Sequence, residues 1–324
     1  MAKVYGTNTP DNLLAAPGGD ALFGWDKSNA PGREGPSTDH DTLTGGAGDD
    51  TLSGGQGNDV LFGGEGRNLL LGGNGDDRVT MLLGFGRDTA DGGNGVDVLT
   101  IDASAQTKKI THVFGAADTE TALGDGSTYI GFERLNFLGG KGDDYVIAGA
   151  LSDRLYGGEG DDRLVAGGGR DQIWGDQGDD RIYGELGRDR LYGGDGADAL
   201  GGGDGDDTLI GGLGKDTLFG QEGRDVFVFN EAGEKNFDMI EGFDGSEDRI
   251  HLSAALFDDL AKGALRSGQF VVGAEAKDAN DRIIYTNGTG KIWLDVDGAG
   301  GAEKVLLAQI EKGLILNAGD FLII

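Results

Sequence analysis

A nine-residue period runs without a slip through residues 139–228 and restricts this chain to folds that repeat. Ten units begin at Gly139, Ala148, Gly157, Ala166, Gly175, Gly184, Gly193, Gly202, Gly211 and Gly220. The sixth position is always aspartate: Asp144, Asp153, Asp162, Asp171, Asp180, Asp189, Asp198, Asp207, Asp216 and Asp225. The eighth is always large and apolar, from Val146 and Leu155 to Leu218 and Phe227. The fourth is glycine except at Leu151. Glycines at positions one, two and four permit positive φ and tight bends, so the first six residues read as a loop whose carbonyls can converge. Positions seven to nine read as a short strand with its apolar middle side chain pointing inward.

The consensus Gly-Gly-x-Gly-x-Asp-x-U-x, with U large and apolar, resembles the repeat of the RTX, or hemolysin-type calcium-binding, family. The resemblance implies an all-β fold, a parallel β-roll or β-solenoid with two units per turn. It also implies multiple Ca2+ ions lying between loops two units apart, held by sixth-position aspartates and backbone carbonyls. On this chain Asp144 would share an ion with Asp162, Asp153 with Asp171, and so on to Asp207 with Asp225. The carbonyl ligands would come from glycines such as Gly157, Gly175, Gly193, Gly202 and Gly211. The chemistry is consistent with this, because calcium takes about 6–8 oxygens, more than one loop supplies. The competing reading, a metal-free solenoid with solvated aspartates, leaves a ladder of carboxylates repelling itself.

The chain carries 57 acidic against 27 basic residues, a formal charge of −30. That balance argues against nucleic acid, which needs a basic footprint, and favours cations as partners. Sixty-six glycines without the Gly-X-Y period of collagen fit a loop-rich solenoid. Cysteine is absent, so bound ions would be the staple that disulfides supply elsewhere. Residues 1–14 hold no apolar core of signal-peptide length, and no stretch approaches the ~20 apolar residues of a membrane helix. Moderate-affinity calcium sites fill outside the cell, at about 10⁻⁴–10⁻³ M. A route exporting the unfolded chain would reconcile these features.

In chain order, residues 1–35 read as degenerate repeats and an N-terminal cap, with Asp11 and Asp20 at sixth positions and a polar insertion over 24–35. Residues 36–100 form a first repeat block, with Asp41, Asp50, Asp59, Asn68, Asp77, Asp88 and Asp97 at the key position. The metal ligands there are expected to be Asp50, Asp59, Asp77 and Asp97. Asn68 brings an oxygen but no charge, so a weaker or empty site is expected there. Met81 and Leu82 shift the register by two residues. Residues 101–138 have lost the repeat and read as longer coils bridging to the second block at 139–228. Residues 229–324 read as a β-rich C-terminal cap, resembling that of serralysin-type secreted proteins through Asp238-Met-Ile240, Gly242-Phe-Asp244 and Asp248-Arg-Ile-His-Leu-Ser253. A hairpin is expected around Asn287-Gly288, with a third strand over 305–310. The ending Asp320-Phe-Leu-Ile-Ile324 is similar to the signal read by type I secretion machinery.

No His-Glu-x-x-His or Gly-x-Ser-x-Gly motif occurs, and His40, His112 and His251 are far apart in sequence. The reading is therefore a secreted, extracellular, non-catalytic calcium-binding protein acting at the cell surface, matrix or host contact. A polysaccharide-modifying enzyme or its accessory module is the alternative, and a membrane-active effector a further one. Asp295-Val-Asp297-Gly298 resembles the start of an EF-hand loop but reads better as a β-turn. Outward at position nine, Tyr156, Trp174 and Tyr192 should stack on successive turns beside Arg154, Gln172 and Arg190. A sheet-stabilising ladder is favoured there over a strip that binds polysaccharide or a cell surface.

Overall fold

The computed structural model describes residues 3–6, 12–16, 18–24, 39–257, 260–295 and 304–324. Asp11, residues 25–35, Asp297 and Gly298 lie outside them. Among these residues, apart from three short 3-10 turns, every regular element is a strand. The chain divides into two compact units, Met1–Gly158 and Glu159–Ile324.

In the first unit successive repeats alternate between two parallel sheets. Ala21–Phe23, Thr51–Gln56, Leu69–Asn74, Thr89–Asn94 and Thr128–Ile130 pair in that order in one. Thr42–Ala47, Val60–Glu65, Arg78–Leu82, Val98–Asp102 and Arg134–Leu138 pair in the other. Eighth-position residues are register partners, Leu43 opposite Leu61 and Leu52 opposite Leu70, and all four are fully buried. Each such side chain contributes about 1.5–3 kcal/mol of burial. Met81 and Leu82 lengthen one coil, so Leu70 faces Ala90, twenty residues on, and the pairing continues. Within residues 101–138 the ladder also continues, with Leu135 opposite Leu99 and Tyr129 opposite Ala90. A short third pairing joins Thr111–Val113 to Tyr145–Ile147.

The second unit repeats the plan with greater regularity. Arg163–Gly169, Arg181–Gly187, Ala199–Asp204, Thr217–Glu222 and Asp238–Glu241 form one parallel run. Gln172–Gln177, Arg190–Gly196, Thr208–Gly214, Val226–Phe229, Arg249–Leu252 and Phe321–Ile323 form the other. The fold is thus a parallel β-roll with two nine-residue units per turn. Toward the end of the chain an antiparallel set joins it. Ile283–Thr286 and Lys291–Leu294 make the hairpin, and Val305–Gln309 pairs with the second of these strands.

Two local readings need correction. The strands are longer than three residues; Arg163–Gly169 runs from position seven of one unit into position four of the next. The turning loop is correspondingly shorter. From Gly158 onward positions two and four carry positive φ, as at Gly194 (121°) and Gly196 (153°), but no first-position glycine of residues 139–228 does. The first position is glycine for want of room. A Cβ at Gly175 would fall on Oδ2 of Asp180 and on the carbonyl oxygen of Gly193.

Candidate metal sites

The sixth-position aspartates are set at the corner between loop and strand, and every one of the fourteen expected as ligands is buried. Their backbone position is fixed by the strand that begins one residue later. Their side chains reach back one turn. The amide of Asp162 donates to Oδ1 of Asp180, Asp171 to Asp189, Asp189 to Asp207 and Asp207 to Asp225, all at 2.8–2.9 Å. In the first unit Asp59 donates to Asp77 and Asp77 to Asp97, each at 2.7 Å.

That hydrogen bond uses one carboxylate oxygen. The second, Oδ2, is buried and makes no hydrogen bond in Asp50, Asp59, Asp77, Asp97, Asp180, Asp189, Asp198, Asp207, Asp216 and Asp225. Each points beside the first glycine of its own loop, and for all but Asp216 and Asp225 a backbone carbonyl of the next turn arrives there too. Asp59 Oδ2 and Gly72 O meet at Gly54; Asp189 Oδ2 and Gly202 O meet at Gly184; Asp198 Oδ2 and Gly211 O meet at Gly193; Asp207 Oδ2 and Gly220 O meet at Gly202. Buried anionic oxygens facing carbonyl oxygens, with no donor between them, are a donor set for a hard cation and for little else. Among the described residues no three acidic or histidine side chains gather at one point, so backbone carbonyls must complete each coordination shell. Such a donor set fits calcium.

Electrostatics shows what the arrangement costs without a cation. Burial, reinforced by neighbouring carboxylates, pushes Asp77 and Asp180 up to about 8 and Asp198 and Asp207 up to about 7. Asp59 rises to about 7 and Asp97 and Asp225 to about 6, again chiefly through burial.

Asn68 brings hydrogens of its own to this position. Its Oδ1 accepts from the amide of Asp50 at 3.0 Å, keeping the ladder. Its Nδ2 donates to Oδ1 of Asp88 at 3.0 Å and to the carbonyl of Gly64 at 3.3 Å. Position one is alanine at Ala148 and Ala166, so those loops carry a methyl group where Gly175 carries only hydrogen. Oδ2 of Asp153 is also engaged, accepting from Gly149 at 2.8 Å. Asp144 accepts through Oδ1 from Ile110 rather than from a repeat aspartate.

The ladder also extends where no nine-residue signal marks it. Asp97 donates to Oε2 of Glu133 at 2.8 Å, and Gly131 O and Asp97 Oδ2 converge at Gly92. Asp88 donates to Oγ of Ser127. Asp216 donates to Oδ1 of Asp238 and Asp225 to Oδ1 of Asp248, at 3.1 and 3.0 Å. The signal that could have found Asp238 and Asp248 was present: each stands two residues before a buried isoleucine, Ile240 or Ile250.

The histidines sit on different elements. His40 accepts through Nδ1 from the amide of Asn58. His112 is buried against the hydroxyl of Tyr129 at 3.2 Å, and burial drives it down to about 4. His251 lies half-buried in Arg249–Leu252. The outer aromatics form a stack: Trp174 and Tyr192 are 5.2 Å apart with planes within 3°. Each presents a face to the other.

The repeat aspartates and their corner carbonyls define a calcium-binding β-roll. Comparison with known families agrees: the RTX calcium-binding nonapeptide repeat (4 copies) matches residues 37–70, 54–80, 80–102, 138–173, 165–200, 174–209 and 201–230. Over these segments the chain belongs to the RTX calcium-binding repeat family. No curated protein matches it.

Proposed function

We propose that the chain is a secreted, non-catalytic protein whose folding is coupled to calcium outside the cell. The observation that carries this reading is the row of buried carboxylate oxygens without hydrogen-bond partners. Asp50, Asp59, Asp77, Asp97, Asp180, Asp189, Asp198, Asp207, Asp216 and Asp225 would hold the ions together with carbonyls of the following turn. Calcium supplies the positive charge that offsets these carboxylates. Without it, the stacked acids favour the unfolded chain, because the unfolded state returns each carboxylate to water. Asp153 and Asp171, whose loops begin with alanine, would bind more weakly.

Export in the unfolded state follows from the same economy of charge. Phe321 and Ile323 are buried in a strand beside Ile250–Leu252, so a type I transporter reading them would have to meet them before folding. The folded roll would then act at the cell surface, in matrix or in host contact. No helix among the described residues is long and apolar enough to cross a membrane.

The test is far-UV circular dichroism of metal-stripped protein during calcium titration, with magnesium as control. A cooperative coil-to-β transition specific to calcium is expected. Full β-structure in chelator at neutral pH would remove the basis of the proposal.

A further inference from the structure

One region of this acidic chain is rich in arginine. Arg190, Thr208, Val226 and Arg249 are register partners on four adjoining strands, all facing outward at position seven or its equivalent in the cap. At about 4.8 Å per strand, the two arginines stand roughly 14 Å apart at the backbone, with two short side chains between them. The result is a trough of about 500 Å³, walled on its loop side by Arg188 and Arg224.

Those two wall arginines are held in place. Asp206 accepts from Arg188 Nη2 at 2.6 Å, from Arg224 Nη2 at 2.8 Å and from Arg224 Nε at 3.3 Å. A guanidinium carries five N–H groups in a fixed plane, so both retain donors beyond those directed at Asp206. Arg190 makes no ion pair among the described residues, and Arg249 donates through Nη1 to the carbonyl of Asp248. Four permanent cations thus line one concavity with two outward carboxylates, Asp206 and Glu247, and with the buried Asp189, Asp207 and Asp225. A surplus of oriented, partly unused guanidinium donors is the chemistry that recognises an oxyanion.

The surroundings narrow the ligand. A volume of about 500 Å³ is that of a small-molecule site, room for one or two sugar rings. The floor offers a threonine hydroxyl and valine methyls, a surface suited to the polar and apolar faces of such a ring. The net charge of −30 repels a long polyanion such as nucleic acid. We propose that this trough binds an oxyanion-bearing saccharide, its sulfate or carboxylate group held by Arg190 and Arg249 over Thr208 and Val226. The buried Asp189, Asp207 and Asp225 lie beneath it and belong to the calcium sites, so binding requires calcium to offset them.

The proposal rests on the calcium-folded chain, and not on how it leaves the cell. The experiment is isothermal titration calorimetry of calcium-loaded protein against glucose 6-sulfate, glucuronate, glucose and sodium sulfate. Circular dichroism on the same samples separates loss of fold from loss of ligand. Binding of at least one of the two acidic sugars, and neither of the other probes, is expected; which one binds distinguishes sulfate from carboxylate. Arg190→Gln should weaken binding by about tenfold or more, the effect of one charge-assisted hydrogen bond. Thr208→Glu places a carboxylate in the half-buried floor and should abolish binding while the fold persists. No binding to the folded wild type overturns the proposal, as does binding that both variants leave intact. Sodium sulfate binding as tightly as the sugars would overturn the saccharide assignment.

Discussion

The amide of Asp180 donates to Oδ1 of Asp198 at 2.8 Å, eighteen residues ahead. One residue earlier the direction reverses, and Oδ1 of Asp179 accepts the amide of Ala197, also at 2.8 Å. Sixth-position carboxylates therefore reach back a turn while fifth-position side chains reach forward. Asp76, Asp161 and Asp206 repeat the forward bond with Val96, Asp179 and Arg224. Loops with both side chains are clasped from both sides.

The two roles of a sixth-position aspartate can be separated by mutation. Asp198→Asn keeps an oxygen for the Asp180 amide and removes the charge. Calcium titration followed by circular dichroism should then show a shallower calcium dependence with little loss of fold. Asp198→Ala also strands the buried Asp180 amide, at a further cost of about 1–3 kcal/mol, read as a lower thermal midpoint in calcium. Equal behaviour of the two variants would refute the division.

Asn68 makes the reverse experiment available. Its Nδ2 hydrogens bridge to Asp88 and Gly64 where other loops present a bare oxygen. Asn68→Asp should lower stability in chelator and raise the number of calcium ions bound at saturation, measured by calorimetry. An unchanged stoichiometry would mean that this loop cannot form a site.

Room at position one should govern affinity. Gly175→Ala places a methyl group on Asp180 Oδ2 and Gly193 O, so calcium binding should weaken, and overpacking should cost about 1–3 kcal/mol. Ala166→Gly should act in the opposite sense on calcium affinity. Calcium midpoints of the two variants on the same side of wild type would contradict this.

The pH response of the metal-free chain follows from the raised carboxylates. In the folded state burial first, and neighbouring acids second, hold Asp77 and Asp180 at about 8 and Asp198 and Asp207 at about 7, against 3.8 ordinarily. Between these limits the folded state binds protons that the unfolded chain has released. Metal-free stability is therefore greatest near pH 4 and falls as pH rises toward 8. Metal-stripped protein should show β-structure at pH 5 and lose it by pH 8. Protons also compete with calcium, so the calcium midpoint should rise as pH falls. A metal-free fold that strengthens with rising pH would show the sign to be wrong.

Position two carries a separate strain. Asp176, Glu185 and Gln221 adopt φ of 76°, 75° and 73°, where most units have glycine. The left-handed conformation costs roughly 1–2 kcal/mol for such residues. Glycine's looser unfolded chain takes back about 0.4–1 kcal/mol. Glu185→Gly should thus raise stability on the order of 0.5 kcal/mol, visible as a higher thermal midpoint in calcium.

Much of this was legible in the sequence because the backbone translates a period into position. An invariant Asp180 or Leu191 repeats its environment every eighteen residues, so spacing alone places it. What spacing could not convey was the reason for Gly175, where φ is ordinary and the missing Cβ is what matters. Nor could it convey Glu133, Asp238 and Asp248. They occupy the same ladder at offsets of 36, 22 and 23 residues, because the coils between are longer. The strand at Arg163–Gly169 was underestimated for a related reason: glycine lowers strand propensity, yet the neighbouring turn supplies the pairing that propensity does not.

The eighteen-residue offset of Leu164 to Ile182, Leu191 to Leu209 and Leu200 to Leu218 has an evolutionary consequence. Every such step presents the next with the same apolar partner, the same corner and the same clasp. A segment of eighteen residues can accordingly be duplicated or lost in frame without creating a contact of a new kind. Repeat number is then a heritable variable that recombination can adjust while the recipe for each coil stays fixed.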